Sequence, residues 1–227
     1  MFAMLARAVR TVAAVVESGP RSVLLTWGAK KRGAAQKLRE FSALASLVRN
    51  HKPSVVVEIG SLHGGTLWAW CRLAAPDALL VSIDLPGGEF SGGHAPADAA
   101  RLRGYGRAQQ QVVLIRNDSH SEATLAELEE VLGKRKVDFL FIDGDHTYEG
   151  VKTDFEMYSR LVAPKGIVAL HDILPHPGDA ACEVERYWIE LRATRRHREL
   201  VDLRDKRSRG QWGGIGVVFT QSDQTPV

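Results

Sequence analysis

The stretch Val137-Asp-Phe-Leu-Phe-Ile-Asp-Gly-Asp-His-Thr-Tyr148 decides the fold of this chain. A nearly continuous apolar run ends abruptly at three ionisable residues, Asp143, Asp145 and His146. Runs of this kind are typical of strands that are buried on both faces of a parallel sheet. In open α/β sheets, ligands bind outside the carboxyl ends of the strands. The stretch therefore predicts a buried parallel strand that carries ionisable side chains to a ligand site.

Similar apolar runs alternate with helix-like segments from residue 54 to residue 170. Alternation with short connections predicts a doubly wound parallel sheet with right-handed crossovers. Two later strands, Leu200–Leu203 and Ile215–Thr220, have no helix between them and should pair antiparallel. The other predicted strands are Val55–Ile59, Leu79–Ile83, Val112–Ile115, Val137–Ile142 and Gly166–Leu170, and the predicted helices are Thr66–Ala75, Ala97–Arg107, Glu122–Leu132, Tyr148–Leu161 and Ala180–Ala193.

The N-terminal part predicts two helices before the first strand. Apolar residues over 2–16 share one helical stripe, which we expect to pack on the domain or on a second subunit. Lys30–Gly33 is typical of a linker, and Ala34–Asn50 forms the second helix. We therefore expect an N-terminal helix and linker over residues 1–33, serving as a lid or as a contact between copies of the chain. One large domain over 34–220 and a frayed tail over 221–227 follow.

Composition places the chain among ordinary globular proteins. Its 227 residues are 44% hydrophobic and 25% charged, enough for one large domain with a full core. The two cysteines, Cys71 and Cys182, match no zinc-binding spacing, so we expect reduced thiols and a cytoplasmic location. No apolar stretch is long enough to span a membrane, since Arg7 and Arg10 interrupt the N-terminal candidate.

The net charge of +3 comes from one segment. Residues 195–209 hold seven Lys and Arg against three Asp and Glu, which gives +4. Such a segment is either a solvated surface or a patch that attracts anionic partners.

Histidines and carboxylates concentrate at one predicted edge of the sheet. The loops at the opposite edge, around residues 76–78, 108–110, 133–136 and 163–165, hold no histidine. This asymmetry predicts a ligand site along the carboxyl edge. Six of the eight histidines follow predicted strands, namely His63, His94, His120, His146, His171 and His176.

The first strand runs into a glycine-rich turn, Glu58-Ile-Gly-Ser-Leu-His-Gly-Gly65. A dinucleotide site uses Gly-x-Gly-x-x-Gly to seat a pyrophosphate. Here the spacing is Gly-x-x-x-Gly-Gly, and Glu58 would repel a phosphate but suit a cationic ligand. Asp84 ends the second strand, where a carboxylate can accept hydrogen bonds from ribose hydroxyls. That position suits NAD equally, so these residues predict a nucleoside ligand without naming it.

Four motifs resemble class I S-adenosylmethionine-dependent methyltransferases: Glu58-x-Gly-x-x-x-Gly-Gly65, Val81-Ser-Ile-Asp84, Phe141–Tyr148 and Gly166-Ile-Val-Ala-Leu-His-Asp172. The likeness is to the small-molecule O-methyltransferase group that includes macrocin O-methyltransferase and cephalosporin-hydroxylase-type proteins, and it covers about residues 35–220. The resemblance implies a doubly wound, Rossmann-like α/β fold with seven strands, the last antiparallel. Helices would cover both faces, with extra helices at the N-terminus.

The resemblance also implies roles in binding the cofactor, S-adenosylmethionine. The glycine turn would lie against its methionine part, Glu58 would face its amino group, and Asp84 would hold the ribose. Asp118 and Ser119 would lie near the adenine. Carried over by position, the expected cofactor-binding residues are Glu58, Gly60, Ser61, His63, Gly64, Gly65, Asp84, Asp118, Ser119 and Asp143.

In metal-dependent relatives, acidic or amide residues ending the fourth and fifth strands hold a divalent cation. Asp143, His171 and Asp172 occupy those positions, and His171 departs from the usual oxygen donor. Oxygen ligands suit Mg²⁺, whereas imidazole suits ions such as Zn²⁺, Fe²⁺ or Mn²⁺. Either the metal differs, or His171 is not a ligand, or no metal binds. The candidate catalytic residues are His146 or His171 as the base and Asp143 as the group that positions the acceptor or metal.

The function that these residues predict is O-methylation of a small hydroxylated molecule of natural-product or sugar type, with assistance from a divalent cation. One alternative is methylation of nucleic acid, suggested by the charge of residues 195–209. Another is a non-catalytic accessory protein that binds S-adenosylmethionine. The glycine spacing and Glu58 disfavour an NAD dehydrogenase. The acceptor pocket is expected between the N-terminal helices, the glycine-rich loop 86–94 as a lid, and residues 175–179.

Overall fold

A computed structural model describes residue 11 and residues 14–87, 98–176, 178–202 and 212–221. Seven strands and seven α-helices follow one another in this part of the chain from Pro20 onwards. In chain order these are α1 (Pro20–Lys30), α2 (Leu38–His51), β1 (Val55–Ile59), α3 (Gly65–Leu73), β2 (Leu79–Asp84), α4 (Ala99–Arg103), β3 (Gln111–Arg116), α5 (Glu122–Leu132), β4 (Val137–Ile142), α6 (Tyr148–Tyr158), a 3₁₀ turn (Ser159–Leu161), β5 (Val162–His171), α7 (Val184–Thr194), β6 (His197–Leu200) and β7 (Ile215–Phe219).

The strands form one sheet in the order β3-β2-β1-β4-β5-β7-β6. The first five strands pair in parallel, and β7 pairs antiparallel with both β5 and β6. The predicted seven-stranded, Rossmann-like sheet with an antiparallel last strand is therefore confirmed. The strand order reverses between β1 and β4, and such a switch point is where open α/β sheets bind ligands.

Helices cover both faces of the sheet, so the central strands are buried on both faces. All five residues of β1 are buried, and β4 alternates between the two cores. Its Phe139 and Phe141 pack against Trp70 on one face, with ring centroids 4.9 and 5.4 Å from that ring. Leu140 and Ile142 belong to the core on the other face. This two-sided burial explains why β4 is an uninterrupted apolar run rather than an alternating one.

Several predicted bounds were wrong at the ends of the chain. No helix was predicted over Pro20–Lys30, yet Pro20 begins α1, a position that proline favours in helices. The sixth strand is His197–Leu200 rather than Leu200–Leu203. Its first three residues are polar and exposed because β6 lies at the edge of the sheet, so no apolar pattern indicates it.

Other predicted helices are shorter than expected. Helix α4 ends at Arg103, before Gly104, and α7 begins at Val184 rather than Ala180. The backbone N–H of Glu183 donates to the carbonyl of His146, which holds the chain before α7 against the loop after β4. Most of the predicted helix 2–16 and of the tail 221–227 lies outside the described residues. Among the described helices, every one falls short of the length and apolarity that a membrane crossing needs.

Candidate active site

The glycine turn after β1 lies at the switch point of the sheet. Gly60 has a φ of +79°, and its N–H donates to the carbonyl of Ile83 on β2. The N–H of Asp143 donates in turn to the carbonyl of Ile59. A Cβ at Gly60 would overlap the carbonyl oxygen of Asp143. The turn therefore needs glycine both for its left-handed backbone and for its contact with the end of β4.

Asp84 at the end of β2 holds this turn in place. Its Oδ2 accepts hydrogen bonds from the N–H groups of Ser61 and Leu62, each at 3.0 Å. Its Oδ1 accepts from the N–H of Leu85 at 2.9 Å. Burial raises the pKa of Asp84, against the lowering effect of these backbone bonds. Asp84 thus shapes the loop against which a ligand would lie, in addition to the ribose contact that the resemblance implies.

Glu58 is fully buried beneath the turn and does not line the site. Its Oε1 accepts a hydrogen bond from the indole Nε1–H of Trp70 at 2.7 Å. Burial raises the pKa of Glu58 to about 7, although hydrogen bonds from Thr66, Ser61 and Trp70 favour its ionised form. Its predicted contact with the cofactor's amino group stays a prediction.

The loop after β3 forms the far side of the site. The carboxylate of Asp118 accepts from the N–H of His120, and the carbonyl of Ser119 accepts from the hydroxyl of Tyr158. Behind this loop lies Asp154 on α6, whose side chain is completely buried. The Nε2 of His120 lies 3.5 Å from its Oδ1. Burial raises the pKa of Asp154 to about 7.

This buried carboxyl should make stability depend on pH. Between pH 3.8 and about 7, folded Asp154 keeps a proton that the unfolded chain releases, so its contribution falls as pH rises. We expect Asp154→Asn to be more stable than the wild type at pH 8, by on the order of 3 kcal/mol. The difference should shrink towards pH 4 in urea unfolding curves. The exposed Asp77→Asn is the control, and a difference that does not change with pH would contradict this assignment.

The ends of β4 and β5 bring three ionisable side chains together. The Nδ1 of His171 lies 3.1 Å from Asp143 Oδ1 and 3.1 Å from Asp172 Oδ2. His171 and Asp172 are buried, and Asp172 has a φ of 60°. A left-handed backbone at a non-glycine residue is strained, and such strain is concentrated at functional sites. The Oδ1 of Asp172 is buried and has no hydrogen-bond partner among the described residues.

The charges of this cluster depend on one another. Burial alone would lower the pKa of His171, but Asp143 and Asp172 raise it well above its usual range. Burial alone would raise the pKa of Asp143, but His171 and His146 lower it to about 2. Two carboxylates that face one imidazole nitrogen favour a cation between them, which is either a proton on that nitrogen or a metal ion.

His146 lies at the open side of the cluster. Its Nε2 is 3.5 Å from Asp143 Oδ1 and 3.7 Å from Asp172 Oδ2, and the side chain is 37% exposed. The neighbouring carboxylate of Asp143 raises the pKa of His146 above its ordinary value, although burial opposes this. The neighbouring Asp145 accepts from the N–H of Thr147, the residue that caps α6, and so shapes the turn between β4 and α6.

Two residues of the cluster were not predicted. Glu40 on α2 accepts from the Nε2 side of His171 at 3.2 Å, and the amide of Gln36 donates to Asp143 Oδ2 at 2.6 Å. Both come from the N-terminal segment, where Glu40 lies among apolar core positions such as Phe41 and Leu44. A buried carboxylate at a core position of an amphipathic helix was the signal that could have revealed it.

One cavity of about 850 Å³ joins the glycine turn to the acidic cluster. That volume lies in the range of small-ligand sites. The rings of Trp212 and His176 line its outer part, with their centroids 5.8 Å apart. Among the predicted site residues, Gly60, Ser61, Asp84, Asp118, Ser119, Asp143, His146, His171 and Asp172 line the cavity.

The other predicted residues lie elsewhere. His63 is exposed and packs against Gly33, while Gly64 and Gly65 lie against Leu102 and Ala34 rather than in the cavity. The roles of these residues towards a cofactor stay predictions. The glycine-rich loop 86–94, with His94, lies mostly outside the described residues.

A family model described as a methyltransferase domain matches residues 57–173, just over half of the chain. This chain belongs to that methyltransferase family. The matched residues contain β1 to β5, the glycine turn, Asp84, Asp143 and the pair His171-Asp172. The recognition made from the four motifs is confirmed at the level of the methyltransferase family.

Comparisons with individual proteins agree with this assignment. The uncharacterised protein y4gI of Sinorhizobium fredii (strain NBRC 101917 / NGR234) is 28% identical over 153 residues, which is 66% of the methyltransferase chain. The chain spans 16% of the length of that relative. Solved structures share the fold at lower identity.

Two of those structures contain a cofactor. The O-methyltransferase TomG from Streptomyces achromogenes, involved in tomaymycin synthesis and solved with SAM, is 19% identical, with a TM-score of 0.54 over 93% of this chain and 88% of its own. The O-methyltransferase from Bacillus cereus, solved with SAH, is 17% identical, with a TM-score of 0.58 over 88% and 91%. These likenesses show the methyltransferase fold.

The cluster of the methyltransferase has the donor chemistry of a divalent cation site. Asp143, His171 and Asp172 each offer one ligand atom, and these atoms lie within 4.8 Å of one another. The buried, unpartnered Oδ1 of Asp172 adds an oxygen that needs a partner. Carboxylate and imidazole donors are ligands of first-row transition metals, so the residues fit such an ion. A second group, His146, Asp172 and Cys182, includes a thiol whose pKa burial raises to about 11, which disfavours the thiolate.

Proposed function

We propose that the protein is an S-adenosylmethionine-dependent methyltransferase that methylates a hydroxyl group of a small molecule. One observation carries the proposal: a single cavity joins the glycine turn at the switch point to the cluster of Asp143, His146 and Asp172. The first half suits a nucleoside cofactor and the second suits an acceptor that must lose a proton. The cofactors bound by TomG and by the Bacillus cereus enzyme support the first half.

The cofactor half of the cavity is built from backbone. Gly60 lines the cavity and brings no side chain to it, so a ligand can lie against main-chain atoms at this position. Asp84 and Asp118 border the cavity at a distance from the acidic cluster along the sheet edge. S-adenosylmethionine, when bound, supplies the methyl group from its sulfonium sulfur. This division assigns ribose contacts to Asp84 and adenine contacts to the loop at Asp118 and Ser119.

The acceptor half must bind and deprotonate a hydroxyl. A divalent cation held by Asp143, His171 and Asp172 would lower the pKa of that hydroxyl. His146 is the candidate base, because its side chain lines the cavity beside Asp143 and is 37% exposed. Holding the acceptor oxygen in line with the methyl group is worth about 7–11 kcal/mol in well-oriented reactions.

The proposal includes three further expectations, on the location of the protein, the role of its N-terminal residues and the type of acceptor. We place the protein in the cytoplasm, supported by two free cysteines, Cys71 and Cys182. Residues 1–33 remain the expected lid or contact between copies of the chain, supported by the exposed side chains of Val16 and Leu24. The acceptor is of natural-product or sugar type, in keeping with the mixed aromatic and polar lining around Trp212.

The full chain should transfer a labelled methyl group from S-adenosylmethionine to a member of a panel of hydroxylated small molecules. Release of S-adenosylhomocysteine and label in the acceptor are the expected results, lost in Asp172→Asn and kept in Asp77→Asn. Cofactor binding by calorimetry without turnover on any acceptor would favour an accessory protein instead. Retardation of RNA or DNA at about 50 mM salt would favour a nucleic-acid substrate.

A further inference from the structure

Glu40 connects three separate segments at the acidic cluster. It is a buried carboxylate on α2, outside the residues that the family model matches. Its Oε1 accepts from the N–H of Lys37 at 2.7 Å and faces His171 Nε2 at 3.2 Å. Its Oε2 accepts from the N–H of Gly214 at 2.8 Å. The N-terminal segment, the end of β5 and the turn before β7 therefore meet at this side chain.

These contacts decide which nitrogen of His171 faces the cavity. An ionised carboxylate can only accept hydrogen bonds, so the Nε2 beside Glu40 carries hydrogen. The Nδ1 then faces Asp143 Oδ1 and Asp172 Oδ2, at 3.1 Å from each. Histidine ligands of metals usually donate their other ring N–H to a carboxylate, which fixes the tautomer and the ring orientation. The contact of Glu40 with His171 has this arrangement.

The oxygen donors are oriented in the same way. Gln36 donates to Asp143 Oδ2, which leaves Oδ1 directed at His171 and His146. The side chain of Asp172 is 7% exposed, and its Oδ1 is unpartnered. Neither arrangement is part of the strand pairing, because β5 is bonded through its backbone to β4 and β7. Both are expected of a site that holds a ligand.

We propose that Glu40 is a positioning residue for a mixed nitrogen and oxygen cation site made by His171 Nδ1, Asp143 and Asp172. By holding Nδ1 towards the carboxylates, Glu40 makes the site prefer Co²⁺, Mn²⁺, Fe²⁺ or Zn²⁺ over Mg²⁺, which favours oxygen ligands. The role of the cation in catalysis rests on the proposed methyl transfer. Binding of the cation does not rest on it, and cation affinity can therefore be measured separately.

Glu40 also has a structural role that the test must separate. It lies at the third position of α2 and accepts from the N–H of Lys37, a contact that glutamine also makes in helices. Glu40→Gln keeps the size and can keep the acceptor for the N–H of Lys37, but it removes the charge beside His171 and loses the acceptor for the N–H of Gly214. The urea unfolding curves measure the second effect. Glu122→Gln removes a carboxylate from the first turn of α5, away from the cavity, and is the matched control.

The experiment titrates Co²⁺ and Mg²⁺ into the full chain, using calorimetry and the visible absorption of bound Co²⁺, alongside S-adenosylhomocysteine binding and urea unfolding. We expect the wild type and Glu122→Gln to bind Co²⁺ at least about 10-fold more tightly than Mg²⁺. Glu40→Gln should lose about 10–100-fold in Co²⁺ affinity, the usual effect of removing such a partner, and keep its affinity for S-adenosylhomocysteine. Unchanged Co²⁺ affinity and spectrum in folded Glu40→Gln would overturn the proposal.

Two further outcomes separate this inference from the proposed function. A wild type that binds S-adenosylhomocysteine but neither cation overturns the cation site and leaves methyl transfer standing. A wild type that binds Co²⁺ in a Glu40-dependent way but no S-adenosylhomocysteine supports the site and counts against methyl transfer. Should Glu40→Gln fail to fold, His171→Asn tests the same nitrogen: an unchanged Co²⁺ spectrum would overturn the proposal, and loss of its nitrogen-ligand character would support it.

Discussion

Gly60→Ala should lower the free energy of unfolding by at least about 3 kcal/mol and abolish binding of S-adenosylhomocysteine. The residue has a φ of +79°, which disfavours any side chain, and the added Cβ would overlap the carbonyl of Asp143. That carbonyl belongs to main chain at the end of β4, so it cannot move aside as a flexible side chain would. Relief would require β1 and β4 to separate at the switch point, where the cofactor is expected to bind.

Urea unfolding and calorimetry with S-adenosylhomocysteine measure both effects. Gly133→Ala is the control, because Gly133 also has a positive φ of 58° but has nothing within 4 Å of an added Cβ. The free energy of unfolding of this variant should fall by about 1–2 kcal/mol because of backbone strain alone, and its affinity for the cofactor should not change. If the two variants lose the same stability and both bind the cofactor, the close approach of the turn to β4 is not what the site requires.

His146→Gln should lower kcat for methyl transfer by about 10²–10⁴-fold, the usual contribution of a general base, with little change in cofactor affinity. The imidazole side chain is 37% exposed and lines the cavity in which we propose that the acceptor hydroxyl binds. Asp143 raises the pKa of His146 above its ordinary value. Since the base must be neutral to accept a proton, the wild-type rate should rise with pH through that raised pKa and then level.

Initial rates across pH 5–9 for the wild type and His146→Gln test this role once an acceptor is known. The variant should lose the rising limb of the profile as well as most of its rate. His197→Gln, on the exposed strand β6, serves as the control and should behave as the wild type. A His146→Gln enzyme within threefold of the wild-type rate would move the role of base to another group.

The sequence predicted the sheet because the evidence for each strand, a short apolar run, lies within the strand itself. Strands β1, β2 and β4 are apolar runs that no surface segment would carry, and their ends bear Glu58, Asp84 and Asp143. Edge strand β6 escaped prediction because its residues face water and pair on one side. Helix α1 escaped prediction because Gly19-Pro20 is typical of a break between elements, whereas Pro20 begins this helix.

The residues of the candidate site also divide into those that the sequence predicted and those that it did not. Asp143, His146, His171 and Asp172 could be predicted because they directly follow two adjacent strands, and parallel strands deliver their carboxyl ends to one edge. The core position of Glu40 on α2 could have marked it as a buried carboxylate, but the partners of Glu40 and Gln36 could not be predicted, since more than 100 residues separate them from the groups that they contact. Nothing in local periodicity says that one face of α2 meets the end of β5.

By itself, the sequence determined the order of the strands along the chain, the edge that collects ionisable groups and the methyltransferase motifs, because each depends on neighbours within a few residues. Only the tertiary structure decided that Glu58 lies beneath the site, bonded to Trp70, and that Asp84 holds the glycine turn. It also decided that Glu40 orients His171. These contacts depend on how distant helices pack on the sheet, and packing selects the partner of a buried polar group after the strands have placed it.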